Sequence, residues 1–358
     1  MTPRSVLITG GGGFIGSNLA KVLIEAGDEV TIVDSLHPQV HSGGWPQNLP
    51  DDVVRHPFDV TVPTQWDALF KILRPDVVVH LAAETGTGQS LTEASRHGRV
   101  NVVGTTELLD GLSRADHIPE RFVLASSRAV YGEGRWRDGR GTSYYAAARG
   151  LRQLESGQWD PSPPVDGTGP VSPLPHRAAR VEPRPSNIYA ATKLAQEHVL
   201  GAWTSAHGSA LSVLRLQNVY GPGQSLTNPY TGIVSLFARL GLEHKVIPVY
   251  EDGSIVRDFV FVEDVVAALT AACSSNRREA FTVDIGCGQA LTLLELASEI
   301  ARQAGAPPPE VNGRFRLGDV RAAFADIEDA NVVLDYVPQT SPVAGVGRLL
   351  EWIVAQPG

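Results

Sequence analysis

Four consecutive glycines, Gly10 to Gly13, separate a short apolar strand from an amphipathic helix near the start of the chain. Gly10, Gly13 and Gly16 have the spacing of a turn in which each glycine has a task. The first allows a sharp bend, the second lets the backbone approach a pyrophosphate, and the third lets the helix pack closely on the strand. The helix N-terminus presents N–H groups and a positive dipole to phosphate oxygens. With a second strand over 29–34, this pattern predicts a Rossmann-type dinucleotide-binding unit.

Apolar runs and helical patterns continue to alternate after this unit. Strands are predicted over 76–81 and 121–127, with a helix over 101–112 between them. Alternating apolar strands and helices are typical of a parallel sheet that is covered on both faces. The predicted fold class is therefore α/β, with a doubly wound Rossmann sheet and a smaller C-terminal α+β domain for the substrate.

The length of 358 residues favours two domains. We predict a dinucleotide-binding Rossmann domain over 1–216 and a substrate-binding domain over 217–358. The chain is expected to cross back partly to the first domain near 255–275. A long segment over 132–186, rich in Gly, Pro, Arg and Ser, is predicted to be an insert in the first domain. A short helix is predicted inside it, over 144–155.

The balance of charged residues excludes several classes of function. Lys and Arg number 30 against 39 Asp and Glu, which gives a net charge of −9, whereas a nucleic-acid binder needs clustered cations. No apolar run reaches the ~18 residues that a membrane span requires. The two cysteines and ten histidines lack the spacing of metal ligands, so no metal is predicted. The start of the chain has no signal-peptide pattern, which predicts a cytoplasmic protein.

An acidic residue stands at the end of the second predicted strand. Asp34 is placed to accept hydrogen bonds from both hydroxyls of a ribose, and its carboxylate would repel a 2′-phosphate. NAD is therefore favoured over NADP as the cofactor, the alternative being that Asp34 is a solvated residue of a turn. Asp59 and Val60 follow the third strand and are predicted to lie against the adenine.

Tyr189 and Lys193 form a Tyr-x-x-x-Lys pair, which a helix places on one face. The ammonium can lower the pKa of the phenol, ordinarily about 10, toward the working pH. Such a pair is common and taken alone is often only a surface contact. Ser127, however, ends a predicted parallel strand at the carboxyl edge of the sheet, where the active sites of α/β proteins gather. These three residues are therefore the candidate catalytic group.

Seven motifs follow one another along the chain. They are Gly10-x-x-Gly13-x-x-Gly16, His80-Leu81-Ala82-Ala83-Glu84, Asn101-Val102-Val103-Gly104-Thr105, Ser127 with Val130-Tyr131-Gly132, Tyr189 with Lys193, Gln217-Asn218-Val219-Tyr220-Gly221, and Arg257-Asp258-Phe259-Val260. In this order they resemble the extended short-chain dehydrogenase/reductase family, and within it the nucleotide-sugar epimerases and dehydratases. The resemblance covers nearly the whole chain. It implies that Tyr189 is the acid and base, that Lys193 holds the ribose and tunes the tyrosine, and that Ser127 bonds the reacting oxygen.

The glycine turn, Asp34 and the resemblance together define a predicted NAD site and a predicted substrate site. The NAD site comprises Gly10, Gly13, Phe14, Ile15, Gly16, Asp34, Ser35, Leu36, His37, Asp59, Val60, Leu81, Ala82, Ala83, Asn101, Ala125, Tyr189, Lys193, Gln217 and Val219. The site for a nucleotide-diphosphate sugar comprises Thr85, Gln89, Ser127, Arg128, Asn218, Arg257 and Arg316. Arg257 matches the diphosphate ligand of the family and Arg316 resembles its partner, because a planar guanidinium suits a phosphate.

The residues after Ser127 depart from one branch of the family. In its 4,6-dehydratases an Asp-Glu pair stands there and carries out the elimination, whereas this chain has Arg128 and Ala129. Dehydration is therefore disfavoured. The resemblance implies instead an NAD-dependent 4-epimerase that inverts C4 of a dTDP- or UDP-hexose through a transient 4-keto sugar. The alternatives are a dTDP-4-keto-6-deoxysugar reductase and a non-catalytic scaffold that senses NAD, and the intact catalytic group argues against the scaffold.

The second departure is the long connection between Tyr131 and Tyr189. Its segment 149–161 resembles the insert of dTDP-L-rhamnose 4-epimerase-like proteins, which often continues into a Cys-Pro-x-Cys knuckle. Here the corresponding residues 162–166 contain no cysteine, so no metal is expected there. Proteins of the family often dimerise through a four-helix bundle. The helical patterns over 100–113 and 189–207 could supply it, so a homodimer is predicted.

Overall fold

The structure is a computed structural model that describes residues 3–41, 44–164, 169–226 and 232–356. In chain order the strands are β1 Ser5–Thr9, β2 Glu29–Asp34, β3 Val54–Pro57, β4 Val77–His80, β5 Arg121–Ser127, β6 Arg135–Arg137, β7 Ser143–Tyr145, β8 Ser172–Pro173, β9 Ala210–Leu216, β10 Asn218–Tyr220, β11 Pro248–Val249, β12 Val256–Phe261, β13 Phe281–Ile285, β14 Ala290–Thr292, β15 Glu310–Val311 and β16 Ala322–Ala323. The α-helices are α1 Phe14–Glu25, α2 Pro63–Leu69, α3 Thr87–Ser90, α4 Ala94–His97, α5 Gly104–Arg114, α6 Leu151–Glu155, α7 Ile188–His207, α8 Ile233–Leu242, α9 Val262–Cys273, α10 Leu293–Ala304, α11 Glu328–Leu334 and α12 Pro342–Val354. A π-helix, Gly98–Val103, precedes α5, and a 3₁₀-helix, Arg128–Tyr131, follows β5.

The main sheet has seven parallel strands in the spatial order β3-β2-β1-β4-β5-β9-β13. Side chains along β1 alternate between two cores: Val6 and Ile8 enter one, and Leu7 enters the other. Both faces are therefore buried, as expected for a parallel sheet between helices. The predicted doubly wound Rossmann fold is confirmed. The strand order reverses between β1 and β4, and such a switch point opens a crevice at the carboxyl ends of the strands.

The C-terminal elements form a smaller sheet and also return to the main one. β12 pairs with β10, β14 and β16, while α8, α10 and α12 pack together beside this sheet. The chain then crosses back, because α9 packs on α1 and β13 joins the edge of the main sheet. The elements that return are α9 and β13, and α9 lies within the predicted stretch 255–275. The division into domains at residue 216 stays a prediction.

The insert over 132–186 contains a sheet of its own. β6 pairs antiparallel with β7 and with β8. The predicted helix over 144–155 is wrong in its first half, since only Leu151–Glu155 is helical. Trp136 is buried and pairs across β6 and β7 with Tyr144, and aromatic cross-strand pairs favour a strand over a helix. Residues 165 and 166, in the segment that corresponds to the cysteine knuckle of similar proteins, lie outside the described residues.

A buried charge network fastens the insert to the C-terminal elements. The Arg149 guanidinium donates to Glu133 at 3.0 Å and to Glu251 at 2.8 Å. Arg321 also donates to Glu251, at 2.9 Å, and its backbone N–H donates to Glu133 at 2.8 Å. A further Arg149 nitrogen donates to the carbonyl of Asp319 at 2.9 Å. Each buried charge thus has a partner of opposite sign, which buried charges require.

Among the described residues, no helix is both long and apolar enough to cross a membrane. The same residues contain no group of three or more His, Cys, Asp or Glu that could hold a metal ion. Both cysteines, Cys273 and Cys287, are free and buried.

Candidate active site

A cavity of about 660 Å³ lies at the carboxyl edge of the main sheet, beside the switch between β1 and β4. From the predicted NAD site it is lined by Gly10, Gly13, Phe14, Ile15, Gly16, Asp34, Ser35, His37, Asp59, Val60, Leu81, Ala82, Ala83, Ala125, Tyr189, Lys193, Gln217 and Val219. From the predicted substrate site it is lined by Thr85, Ser127, Arg128 and Asn218. Segments that are far apart in the sequence thus converge on one cavity, because parallel strands end at the same edge.

The glycine turn after β1 leaves no room for a side chain at Gly10 or at Gly16. Gly10 has a positive φ of +68°, and a Cβ there would lie 2.8 Å from the backbone nitrogen of Ala82. A Cβ on Gly16 would lie 2.5 Å from the Gly10 carbonyl oxygen. Gly13 stands before the first turn of α1, in extended backbone. The turn therefore brings backbone N–H groups and a helix N-terminus against the cavity.

The Asp34 carboxylate at the end of β2 is held by the backbone. One oxygen accepts the N–H of Gly12 at 3.0 Å, and the other accepts the N–H of Leu36 at 2.8 Å. The Nε2 atom of His41 lies 3.4 Å from the second oxygen. Leu36 does not line the cavity itself, and its backbone, at a φ of +51°, serves to orient Asp34. The carboxylate consequently has a fixed position at the rim.

The candidate catalytic group converges from two elements. Ser127 ends β5, and its hydroxyl accepts the N–H of Ala129 at 3.1 Å as the cap of the 3₁₀-helix. Tyr189 and Lys193 lie on the first turns of α7, which Asn187 caps by accepting the N–H of Ala190. All three catalytic candidates line the cavity. The structure therefore brings together the residues that the sequence singled out.

Burial changes the pKa of both members of the pair. It raises the pKa of Tyr189, against the opposing effects of a hydrogen bond with Ser127 and of the Arg128 charge. It lowers the pKa of Lys193 to about 8, which the Glu197 carboxylate partly opposes. Burial thus disfavours the charged form of each group. Because an ammonium and a phenolate on one helix face stabilise each other, the two groups are expected to titrate as a coupled pair.

Arg128 occupies the position where a dehydratase would carry its acidic residue. Its Nε donates to the Asn218 side-chain oxygen at 2.7 Å, which holds the guanidinium against the cavity. Burial and the charge of Arg257 lower the pKa of Arg128 to about 10. Ala129, the next residue, has no group that can exchange a proton. This side of the cavity is therefore cationic and lacks a carboxyl group at the two positions.

The two other arginines predicted to bind substrate do not line the cavity. Arg257 is buried, and one of its nitrogens donates both to the Asp319 carboxylate and to the Val320 carbonyl, each at 2.7 Å. Arg316 is exposed and stacks over the Tyr250 ring at 5.5 Å from its centroid. Neither position had a sequence signal for these partners, because Asp319 and Tyr250 come from other segments.

Gln89 and Asn101 also lie outside the cavity lining. Gln89 is buried and donates to Gln39 at 3.2 Å and to Glu93 at 3.0 Å. Asn101 accepts the N–H of Glu84 at 2.7 Å and donates to the Glu84 carbonyl at 3.0 Å. Their side chains are thus engaged in holding the segments that follow β4.

A comparison of the sequence with known families shows to which family the chain belongs. The profile of the NAD dependent epimerase/dehydratase family matches residues 6–149 and 166–286. The chain belongs to this family. The gap between the two matched segments falls within the insert, where this member departs from the family pattern.

Individual proteins of this family are similar to the chain over nearly its full length. A dTDP-L-rhamnose 4-epimerase of Burkholderia thailandensis is 50% identical over 354 residues, which are 99% of this chain and 96% of that protein. A UDP-glucose 4-epimerase of Mycolicibacterium smegmatis is 29% identical and covers 97% of each chain. The structure of a UDP-glucose 4-epimerase of Thermus thermophilus in complex with NAD has a TM-score of 0.78 and 26% identity, covering 98% of this chain and 99% of that one. The predicted family and the predicted cofactor, NAD, are confirmed.

The Gln217 side chain provides a test of whether NAD fits this cavity. It is buried and lines the cavity, and neither its amide nitrogen nor its amide oxygen has a hydrogen-bond partner within the described part of the chain. A buried amide without partners costs free energy, so a ligand with both a donor and an acceptor is expected against it. The nicotinamide carboxamide carries both. The cavity thus fits the cofactor of the family.

Several residues line the cavity without having been predicted from the sequence, among them His41, Arg96 and Gln224. Gln224 follows the motif that ends at Gly221, so its position along the chain could have indicated it. Arg96 pairs with Glu84 at 2.9 Å, a contact between separate segments that left no local signal.

Replacing Asp34 with alanine should raise the dissociation constant of NAD at least about tenfold. A hydrogen bond to a charged group contributes about 1.5–3 kcal/mol, and the variant would lose those that we expect Asp34 to make to the ribose. Titration calorimetry of protein stripped of cofactor would measure this. Asp67→Ala, which removes an exposed carboxylate paired with Arg114, is the matched control. Tighter binding of NADP than of NAD by the wild-type protein would contradict the assigned role of Asp34.

Proposed function

We propose that this protein is an NAD-dependent nucleotide-sugar 4-epimerase whose substrate is dTDP-L-rhamnose or its C4 epimer. The observation that carries the proposal is the convergence of Ser127, Tyr189 and Lys193 on the cavity. The choice of sugar is supported by the 50% identity to a dTDP-L-rhamnose 4-epimerase over 99% of the chain. The relative that acts on UDP-glucose is considerably less similar, at 29% identity.

In this proposal Tyr189 moves the proton of the reaction. Its phenolate takes the proton of the C4 hydroxyl as the C4 hydrogen leaves as hydride, and a 4-keto sugar remains. When bound, NAD supplies the hydride acceptor. Ser127 donates a hydrogen bond to the C4 oxygen and keeps it beside the phenol. Lys193 binds the ribose hydroxyls and stabilises the phenolate with its charge.

Inversion requires that the sugar presents its opposite face before hydride returns. The proton that Tyr189 holds then goes back to the C4 oxygen, so atoms and charges balance over one cycle. The nucleotide must stay bound meanwhile, and Arg128 and Asn218 are the proposed contacts to its diphosphate. Arg257 contributes positive charge from outside the cavity lining, where its charge acts on Arg128, whereas Arg316 is exposed and stacks on Tyr250. No acid or base for the loss of water stands at Arg128 or Ala129, which disfavours a 4,6-dehydratase.

The fate of the C4 hydrogen tests the proposal. With dTDP-L-rhamnose deuterated at C4, mass spectrometry of the product should show that the label is retained through inversion, without added NADH. The matched reaction of unlabelled substrate in deuterium oxide should place no deuterium on C4. Reduction of a dTDP-4-keto-6-deoxysugar at the expense of added NADH or NADPH, without conversion of dTDP-L-rhamnose, would indicate a reductase. Loss of water from dTDP-glucose, which carries the C6 hydroxyl that rhamnose lacks, would indicate a 4,6-dehydratase.

We further propose that the protein is a cytoplasmic homodimer. Val103, at the end of the π-helix before α5, is 43% exposed, which is in keeping with a contact between copies along α5 and α7. The free, buried cysteines agree with a reducing compartment. Size-exclusion chromatography with light scattering would measure the mass in solution.

A further inference from the structure

A buried network of polar side chains lies directly behind Lys193. The ammonium donates to the side-chain oxygen of Gln196 at 2.6 Å, and both residues are buried. The amide nitrogen of Gln196 donates to the Thr105 hydroxyl oxygen at 2.9 Å. His80 lies between that hydroxyl, at 2.9 Å, and the hydroxyl of Thr9 on β1, at 2.7 Å. The network thus links α7 to two strands of the main sheet.

The partners fix which end of the Gln196 amide faces Lys193. The Thr105 hydroxyl has one hydrogen, which it donates to the Asn101 carbonyl at 2.6 Å. Its oxygen can therefore only accept on the other side, and Gln196 must turn its NH₂ group toward it. The amide oxygen then faces the ammonium, which has three donors and no acceptor. The reverse orientation would place donor against donor at Lys193.

We infer that Gln196 is a positioning residue that aims the Lys193 ammonium at the cavity. One N–H of the ammonium is held by the Gln196 oxygen, which leaves two for ribose hydroxyls. The inference rests on the proposed function, since it takes Lys193 as the residue that holds the ribose and charges the tyrosine. It adds a residue outside the Tyr-x-x-x-Lys pair, three positions after the lysine on the same helix.

A neutral amide suits this position better than a carboxylate. A carboxylate against Lys193 would raise the lysine pKa and would cancel part of the positive charge that Tyr189 needs. The amide oxygen holds the ammonium without placing a full negative charge beside it. Glu197, the next residue on α7, is occupied by Arg215 at 2.7 Å and by the hydroxyl of Ser126.

The other charged groups around the pair are few in the described structure. Glu197 faces Lys193 from the same helix, and Arg128 faces Tyr189 from the 3₁₀-helix. His80 faces the lysine from β4, and burial lowers its pKa to about 3, so it stays neutral across the working range. The productive form of the pair, ammonium with phenolate, carries one proton in total. Activity should therefore fall as pH drops through the lower pKa of the coupled pair and both groups become protonated.

The fall of activity on the acidic side is the acidic limb of the pH–rate profile. Two substitutions of Gln196 should move this limb in opposite directions. Gln196→Glu places a negative charge within a few ångströms of the ammonium, which raises the first pKa of the pair and shifts the limb upward by about one pH unit or more. Gln196→Met keeps the length of the side chain but removes the acceptor, so the limb shifts downward and the plateau of kcat falls about tenfold. Initial rates with dTDP-L-rhamnose from pH 6 to 10 would measure both.

The controls separate this inference from the proposed function. Gln303→Met makes the same chemical change on α10, at a residue that does not line the cavity, and should leave the pH profile unchanged. Lys193→Met tests the role of the lysine: wild-type turnover in that variant would refute the proposed function itself. If Lys193→Met is inactive but both Gln196 variants keep the wild-type acidic limb, only the inference is refuted.

A double-variant cycle completes the test and does not depend on turnover. Gln196→Met should weaken NAD binding in the wild-type background and have no added effect in the Lys193→Met background. Equal effects in both backgrounds would mean that Gln196 only supports the fold. Thermal melting of each variant checks folding. If Gln196→Met does not fold, the pH–rate profile of Gln196→Glu decides: an acidic limb shifted upward supports the inference, and an unshifted limb refutes it.

Discussion

Turnover should fall by about 10² to 10⁴-fold when Tyr189 is replaced with phenylalanine, the range expected for loss of a general acid and base. The substitution keeps the ring and removes only the hydroxyl, which lies beside Ser127 at the cavity. That hydroxyl is the group assigned to take the C4 proton and return it. NAD binding and the thermal midpoint should change little, because the contacts of the ring remain.

A matched variant makes this result specific. The hydroxyl of Tyr144 in the insert is buried and has no hydrogen-bond partner in the described structure, so Tyr144→Phe should leave kcat unchanged. Both variants would be assayed with dTDP-L-rhamnose, and calorimetry would follow NAD binding. Wild-type activity in Tyr189→Phe would dismiss Tyr189 as the proton carrier. Loss of NAD binding in the same variant would instead assign the tyrosine a structural role.

The parts of the site that sequence could predict are those coded by local pattern. The glycine turn, Asp34 and Ser127 each sit at the end of a strand, and the ends of parallel strands meet at one edge. Knowing the strands therefore sufficed to bring these residues together. Tyr189 and Lys193 needed only the periodicity of a helix to share a face.

The remaining contacts depend on segments that meet only in the folded chain. Nothing near Arg257 indicates that Asp319 binds it, and nothing near Gln89 indicates the contact with Gln39. The small sheet of the insert was not predicted either, because its strands are only two or three residues long. Strands this short carry almost no periodicity, and cross-strand contacts decide their conformation.

The insert is fixed through Arg149, and this makes it sensitive to a single substitution. The side chain of Arg149 is only 1% exposed and lies between Glu133 and Glu251. It also holds the backbone of Asp319, whose carboxylate binds Arg257. Direct contacts through Arg149 and Asp319 therefore link the insert to Arg257, whose charge acts on Arg128 at the cavity.

Arg149→Met should therefore lower the free energy of unfolding by about 3–5 kcal/mol, the cost of leaving a buried charge without its partner. Burial raises the pKa of Glu133 and Arg149 opposes this, so the variant should hold that pKa higher still. A carboxyl group whose pKa is higher in the folded state binds its proton more tightly there, and folding weakens as pH rises through that pKa. The deficit should consequently be largest at pH 7.5 and shrink toward pH 5. Urea denaturation at both values would measure it, with Arg114→Met, in the exposed pair with Asp67, expected to cost about 0–1 kcal/mol at either pH. A deficit as small as that of Arg114→Met, or one that grows toward pH 5, would show that Arg149 does not neutralise Glu133 in the folded protein.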